Sequence, residues 1–112
     1  MCNKNEAVKI LNLAYEQCKK IFGEPESAYL YGSYARGDYH SESDVDIFIA
    51  VRKTQEEISA HRMDVAKIAS DLSLEYDVTV SIAVKPAEQF EKYQSILPYY
   101  QNVIKEGIKY AG

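Results

Sequence analysis

The stretch from Gly32 to Asp46, GSYARGDYHSESDVD, holds the residue types on which chemistry could be built. At its end, Asp44 and Asp46 flank Val45. Side chains of an extended strand alternate between faces, so residues two apart point the same way, ~7 Å apart along the backbone. Two carboxylates on one face repel unless a positive charge lies between them. A divalent cation supplies that charge. Hard oxygen ligands suit Mg²⁺, which keeps some waters and takes phosphate oxygens as further ligands. At the other end stands Gly32-Ser33. A glycine after a strand lets a phosphate approach the backbone, and free N–H groups of the following turn attract anions. The Ser33 hydroxyl adds a donor, and the Arg36 guanidinium suits a bidentate phosphate contact. The two ends together describe a site for a metal-bound nucleoside triphosphate. A third carboxylate on a neighbouring strand would complete it. Asp77, read as opening such a strand, is the candidate, as metal ligand or as base toward an attacking hydroxyl.

Regular elements must hold these residues. Ala7, Leu11, Ala14, Cys18, Ile21 and Phe22 recur at helical spacing, so a helix is expected over residues 4–22. An Asn3/Glu6 capping pair opens it, and Gly23 with Pro25 ends it. Residues 27–31 read as a strand running into Gly32. Residues 45–51 read as a second, with Val45, Ile47, Ile49 and Val51 on one face. Thr54 and Glu57 form a capping box for a helix whose Ile58, Val65, Ile68, Ala69 and Leu72 share a side. A third strand is expected over residues 77–84, with Val78, Val80, Ile82 and Val84 on one face. Pro86 begins another helix, and residues 95–106 make a last one closed by Gly107. This order predicts an α/β domain with a small sheet, three strands or slightly more, flanked by helices.

Gly32-Ser33, ten residues, then Asp44-Val45-Asp46 resembles the GS-x10-DxD signature of polymerase-β-like nucleotidyltransferases. The fuller string GSYARGD…SDVDI, and the tail LPYYQNVIKEG, are similar to the minimal nucleotidyltransferase (MNT) branch. The resemblance spans roughly residues 29–110 and is specific between Gly32 and Asp46. It implies a nucleotidyltransferase fold with a small mixed sheet, in one minimal domain over residues 1–112. It implies Gly32, Ser33 and Arg36 on the triphosphate and two Mg²⁺ on Asp44 and Asp46. Asp77 would correspond, by order and strand context, to the family's third acid. It further implies an antitoxin paired with a HEPN-domain ribonuclease toxin in a hetero-oligomer. Such antitoxins transfer AMP from ATP to a tyrosine hydroxyl of the toxin. Two rivals stand beside that reading: neutralisation of the toxin by binding alone, and a stand-alone small-molecule nucleotidyltransferase.

Composition bounds these readings. The chain has 112 residues, 46% of them hydrophobic and 27% charged, the balance of a globular chain rather than a disordered or collagen-like one. No apolar run approaches the ~20 residues of a membrane-spanning helix. Thirteen basic residues against seventeen acidic ones give −4, a poor charge for general nucleic-acid binding. The opening MCNKNEAVKI has no apolar stretch of signal-peptide type, so a cytoplasmic protein is expected, with Cys2 and Cys18 as free thiols. Ten tyrosines are many for this length, and they divide by position. Tyr15, Tyr29 and Tyr31 fit packing roles. Tyr34 and Tyr39 flank the glycine loop, where they could stack on a base or face a partner. Tyr93, Tyr99, Tyr100 and Tyr110 crowd the tail, where packing and a partner surface are both open.

Overall fold

A computed structural model describes residues 2–111. Ten elements follow one another: α1 (Lys4–Phe22), β1 (Ser27–Tyr31), α2 (Ser33–Arg36), β2 (Val45–Val51), α3 (Gln55–Ala60), α4 (Arg62–Tyr76), β3 (Val80–Pro86), α5 (Ala87–Tyr93), α6 (Pro98–Glu106) and β4 (Ile108–Lys109). The four strands form one sheet in the order β3-β2-β1-β4. β1 runs antiparallel to both β2 and β4, while β2 and β3 are parallel. Parallel neighbours need a long crossover, and α3 with α4 provides it.

The capping signals work as expected. The Glu6 amide donates to Asn3 Oδ1 at 2.9 Å, and the Asn3 amide donates back to Glu6 Oε1 at 3.3 Å. Thr54 and Glu57 make the same reciprocal pair at the start of α3. Gly23, at φ 80°, ends α1 with its amide donating to the Lys19 carbonyl. The helix expected to continue from Thr54 instead breaks at His61, whose φ of −108° and ψ of 17° lie outside the helical region. Its ring packs edge-on against Phe22, centroids 5.6 Å apart, and its Nδ1 lies 2.9 Å from Asp64 Oδ2. That tertiary packing outweighs the local helical pattern.

The two sheet faces divide the core. Val45, Ile47, Ile49 and Val51 point to one side, where α1, Ile58 and Leu72 cover them. Tyr29, Phe48 and Ala50 point to the other, beneath Ala87 and Phe90 of α5 and Tyr100 and Val103 of α6. β2 is thus covered on both faces and apolar throughout, with one exception. Asp46 alone among its seven residues is not fully buried. A carboxylate in such a strand is costly to desolvate, so its retention marks use rather than packing.

Several boundaries differ from expectation, and β3 runs on to Pro86, which caps α5 rather than beginning it. The third strand begins at Val80, not Asp77; Asp77 is the cap of α4, in the left-handed conformation at φ 52°. Aspartate is among the few non-glycine residues that tolerate this region, which explains the residue there. The last helix starts at Pro98 rather than Ser95 because proline, lacking an N–H, suits the first helical turn. β4 had no strand pattern of its own; two residues beside β1 suffice, through Tyr29↔Lys109 and Leu30↔Ile108.

Candidate active site

Strand register builds the site. β1 and β2 pair so that Tyr31 faces Asp46, which brings Gly32, the next residue, beside the Asp46 carboxylate. Gly32 adopts φ +79°, and a β-carbon placed on it would lie 2.6 Å from Asp46 Oδ2. Only glycine meets both the backbone angle and the space. The glycine and acid halves of the motif, separated in sequence, are therefore one contact in the fold.

The chain from Gly32 turns at once into α2, whose Ala35 and Arg36 amides both donate to the Gly32 carbonyl at 3.1 Å. The first amides of a helix have no acceptor within it, so those of Ser33 and Tyr34 belong to the donor-rich end of this turn. Arg36 at its end is exposed and divides its guanidinium between Asp38 Oδ2 and Glu106 Oε2, each at 3.2 Å.

The electrostatics fit a cation. Burial raises the Asp46 carboxyl above the usual range, the charge of neighbouring Asp44 raises it further, and Arg36 offsets this in part. Asp44 is exposed just ahead of the strand. Asp44 and the half-buried Asp46 are thus two acids near each other, hard oxygen donors of the kind a Mg²⁺-type ion takes.

Asp77 is not gathered into this pair. It is exposed and lines a separate shallow cleft of about 340 Å³ with Ser41, Glu42, Ser43 and Thr79. Among the described residues, no three histidine, cysteine or acidic side chains cluster as a metal site. The parallel register places Ser81 beside Asp46, so the strand next to the acids offers a hydroxyl where a third carboxylate was expected.

Two tyrosines join the site instead. Tyr31 and Tyr99 share a hydroxyl–hydroxyl bond of 3.0 Å. Burial raises both phenols above their ordinary range, with the charge of Asp46 contributing to each, so both keep their protons at neutral pH. Strand alternation put Tyr31 on the Asp46 face, but nothing local in the sequence ties Tyr99 to residues so far upstream. Tyr34, by contrast, is closed to ligands. It is 1% exposed, stacks on Tyr39 at 4.4 Å, and donates its hydroxyl to the Cys2 carbonyl at 3.3 Å. The tail tyrosines split: Tyr100 is buried in the second core, and Tyr110 stacks on Tyr15 at 3.7 Å. No described helix is long and apolar enough to cross a membrane.

Comparison with known proteins gives the family and the fold. The nucleotidyltransferase domain family matches residues 11–111. A Methanocaldococcus jannaschii protein, provisionally named a protein adenylyltransferase, is 33% identical over 106 residues, covering 94% of this chain and 95% of the relative. A second M. jannaschii protein with the same provisional name is 50% identical over 52 residues, where the match spans 46% of this chain and only 50% of that relative. Among solved structures, a toxin–antitoxin crystallised with AMP-PNP superposes with TM-score 0.58 at 22% identity, over 96% of this chain and 72% of that one. A provisionally described nucleotidyltransferase from Sulfolobus solfataricus gives 0.51 at 24% identity, over 94% and 82%. At such identities the structural likeness establishes the fold.

Proposed function

The chain belongs to the nucleotidyltransferase domain family, and from that premise we propose that it is an antitoxin that transfers AMP from ATP to a tyrosine hydroxyl of a partner HEPN ribonuclease. The observation that carries the proposal is the close approach of Gly32 to Asp46, which brings the glycine turn and the acid-bearing strand together at one point. Its support from relatives is a protein adenylyltransferase matched along nearly its whole length and a toxin–antitoxin of the same fold crystallised with a nucleotide analogue.

In this reading Ser33 and the first amides of α2 hold the triphosphate at the turn that Gly32 begins, beside the acids. Arg36 contributes positive charge at the same end. Asp44 and Asp46 would hold two Mg²⁺ ions. When bound, the metal neutralises phosphate charge and stabilises the oxygens entering and leaving phosphorus. The acceptor hydroxyl gives up its proton to solvent, its oxygen bonds to the α-phosphorus as the bond to the β-phosphate bridge breaks, and pyrophosphate leaves. Asp77 is left out of this machinery, since its cap position already accounts for it.

Incubation of the protein with a HEPN partner, ATP and Mg²⁺ should raise the partner's intact mass by whole AMP units. Replacing both Asp44 and Asp46 with asparagine should abolish that gain and the protection of cells. If the double variant binds the partner and protects cells as well as wild type, neutralisation is by occlusion and the enzymatic reading fails.

A further inference from the structure

Tyr99 reaches the site from α6, far along the chain from Asp46, and its ring is held on several sides. It meets Tyr31 edge-on at 5.8 Å, Phe48 at 6.0 Å and Tyr100 at 5.5 Å. Tyr31 in turn is the cross-strand neighbour of Asp46, with both side chains on the face that α5 and α6 cover. Cross-strand partners on one face stand ~5 Å apart at their β-carbons. The hydroxyl pair therefore lies over the same end of the sheet as the acids and Gly32, in a position fixed by rings rather than by long flexible side chains.

Proton accounting gives the pair a direction. Two phenols carry two protons, and the bond between them uses one. Among the described residues the second proton has no protein acceptor. Tyr99 is 39% exposed, so the pair opens outward beside the acids rather than into the core. A rigid, uncharged donor next to two carboxylates suits an anionic oxygen brought there by a cation, and a Lys or Arg in its place would compete for the carboxylates.

We infer that Tyr31 and Tyr99 act as one unit that donates a hydrogen bond to an oxygen of the bound nucleotide, making Tyr99 a substrate-binding residue. The inference rests on the nucleotide-binding reading given above. It also accounts for a hydroxyl at two positions where phenylalanine would serve the aromatic packing equally.

The test is calorimetric titration of wild type, Tyr31→Phe, Tyr99→Phe and the double variant with a non-hydrolysable ATP analogue and Mg²⁺. Melting temperatures are followed in parallel. Phenylalanine keeps the rings, so folding should survive. Should Tyr31→Phe melt early, the more exposed Tyr99→Phe carries the test alone. Loss of one hydrogen bond to a charged oxygen should weaken nucleotide binding about tenfold in each single variant. The double variant should lose little more than a single one, the mark of two groups acting together. Unchanged binding in Tyr99→Phe, or independent additive losses, would overturn the inference. Failure of the wild type to bind the Mg²⁺–nucleotide would instead remove the proposed function itself.

Discussion

The α-carbon of Gly32 lies against the Asp46 carboxylate, leaving no room for even a methyl group, which would stand 2.6 Å from Oδ2. Gly32→Ala should therefore act twice. The backbone at φ +79° would be strained by ~1 kcal/mol or more, and the carboxylate would be pushed from its place. We expect a lower melting temperature and at least tenfold weaker binding of a Mg²⁺–nucleotide, read by thermal denaturation and calorimetry. An alanine variant that binds as wild type would mean the nucleotide does not use this recess.

Asp46 should show opposite effects on stability and function. Burial, reinforced by Asp44, raises its carboxyl in the folded state, so the folded protein takes up this proton more readily than the unfolded chain. The charged form therefore subtracts from stability above the folded pKa, and the penalty fades as pH falls through it. Asp46→Asn should melt a few degrees higher than wild type near neutral pH, with the gap closing in acid, while nucleotide binding is lost. Melting curves across that pH range decide it; a variant less stable at neutral pH would show the carboxylate to be structural.

For Asp77 the expectation is structural. Asparagine tolerates the left-handed cap, so Asp77→Asn should leave both stability and Mg²⁺–nucleotide binding near wild type. Alanine at the same position should cost ~1 kcal/mol, and glycine nothing. If Asp77→Asn lost nucleotide binding as Asp46→Asn does, a third acidic ligand would have to be restored to the mechanism.

Arg36 is held by Asp38 and Glu106, and those bonds compete with any phosphate. Removing the Glu106 charge as Glu106→Gln should free one side of the guanidinium. Exposed pairs of this kind are weak and screened, so nucleotide affinity should rise only about two- to fivefold. No gain, measured at constant ionic strength, would show that Arg36 does not reach the triphosphate.

Much of this architecture was legible because it rests on local rules. The capping boxes of Asn3 with Glu6 and Thr54 with Glu57, and the alternation of Val45 through Val51, depend on residues a few positions apart. What escaped depends on distant packing. His61 breaks a helix because Phe22 is there to receive its ring. β4 is a strand only because β1 offers an edge. Asp77 fitted an alternating pattern as a strand start, but the left-handed residue needed at the end of α4 makes it a helix cap instead. Tyr34 sat in the motif loop like a ligand-stacking residue, yet the open space beneath α2 was filled by its own ring. Tyr99 carried no local mark at all.

The short β4 strand has a consequence for how the protein comes into being. Residues 108–109 fasten the end of α6 to β1, and the Tyr110 amide extends that ladder to the Ala28 carbonyl. Because α6 bears Tyr99 and Glu106, a nascent chain that has already exposed Gly32, Asp44 and Asp46 still lacks the aromatic roof over them. During synthesis the acids emerge first, and Tyr99 and Glu106 reach Tyr31 and Arg36 only once residues 98–110 have emerged and threaded onto the far edge of the sheet.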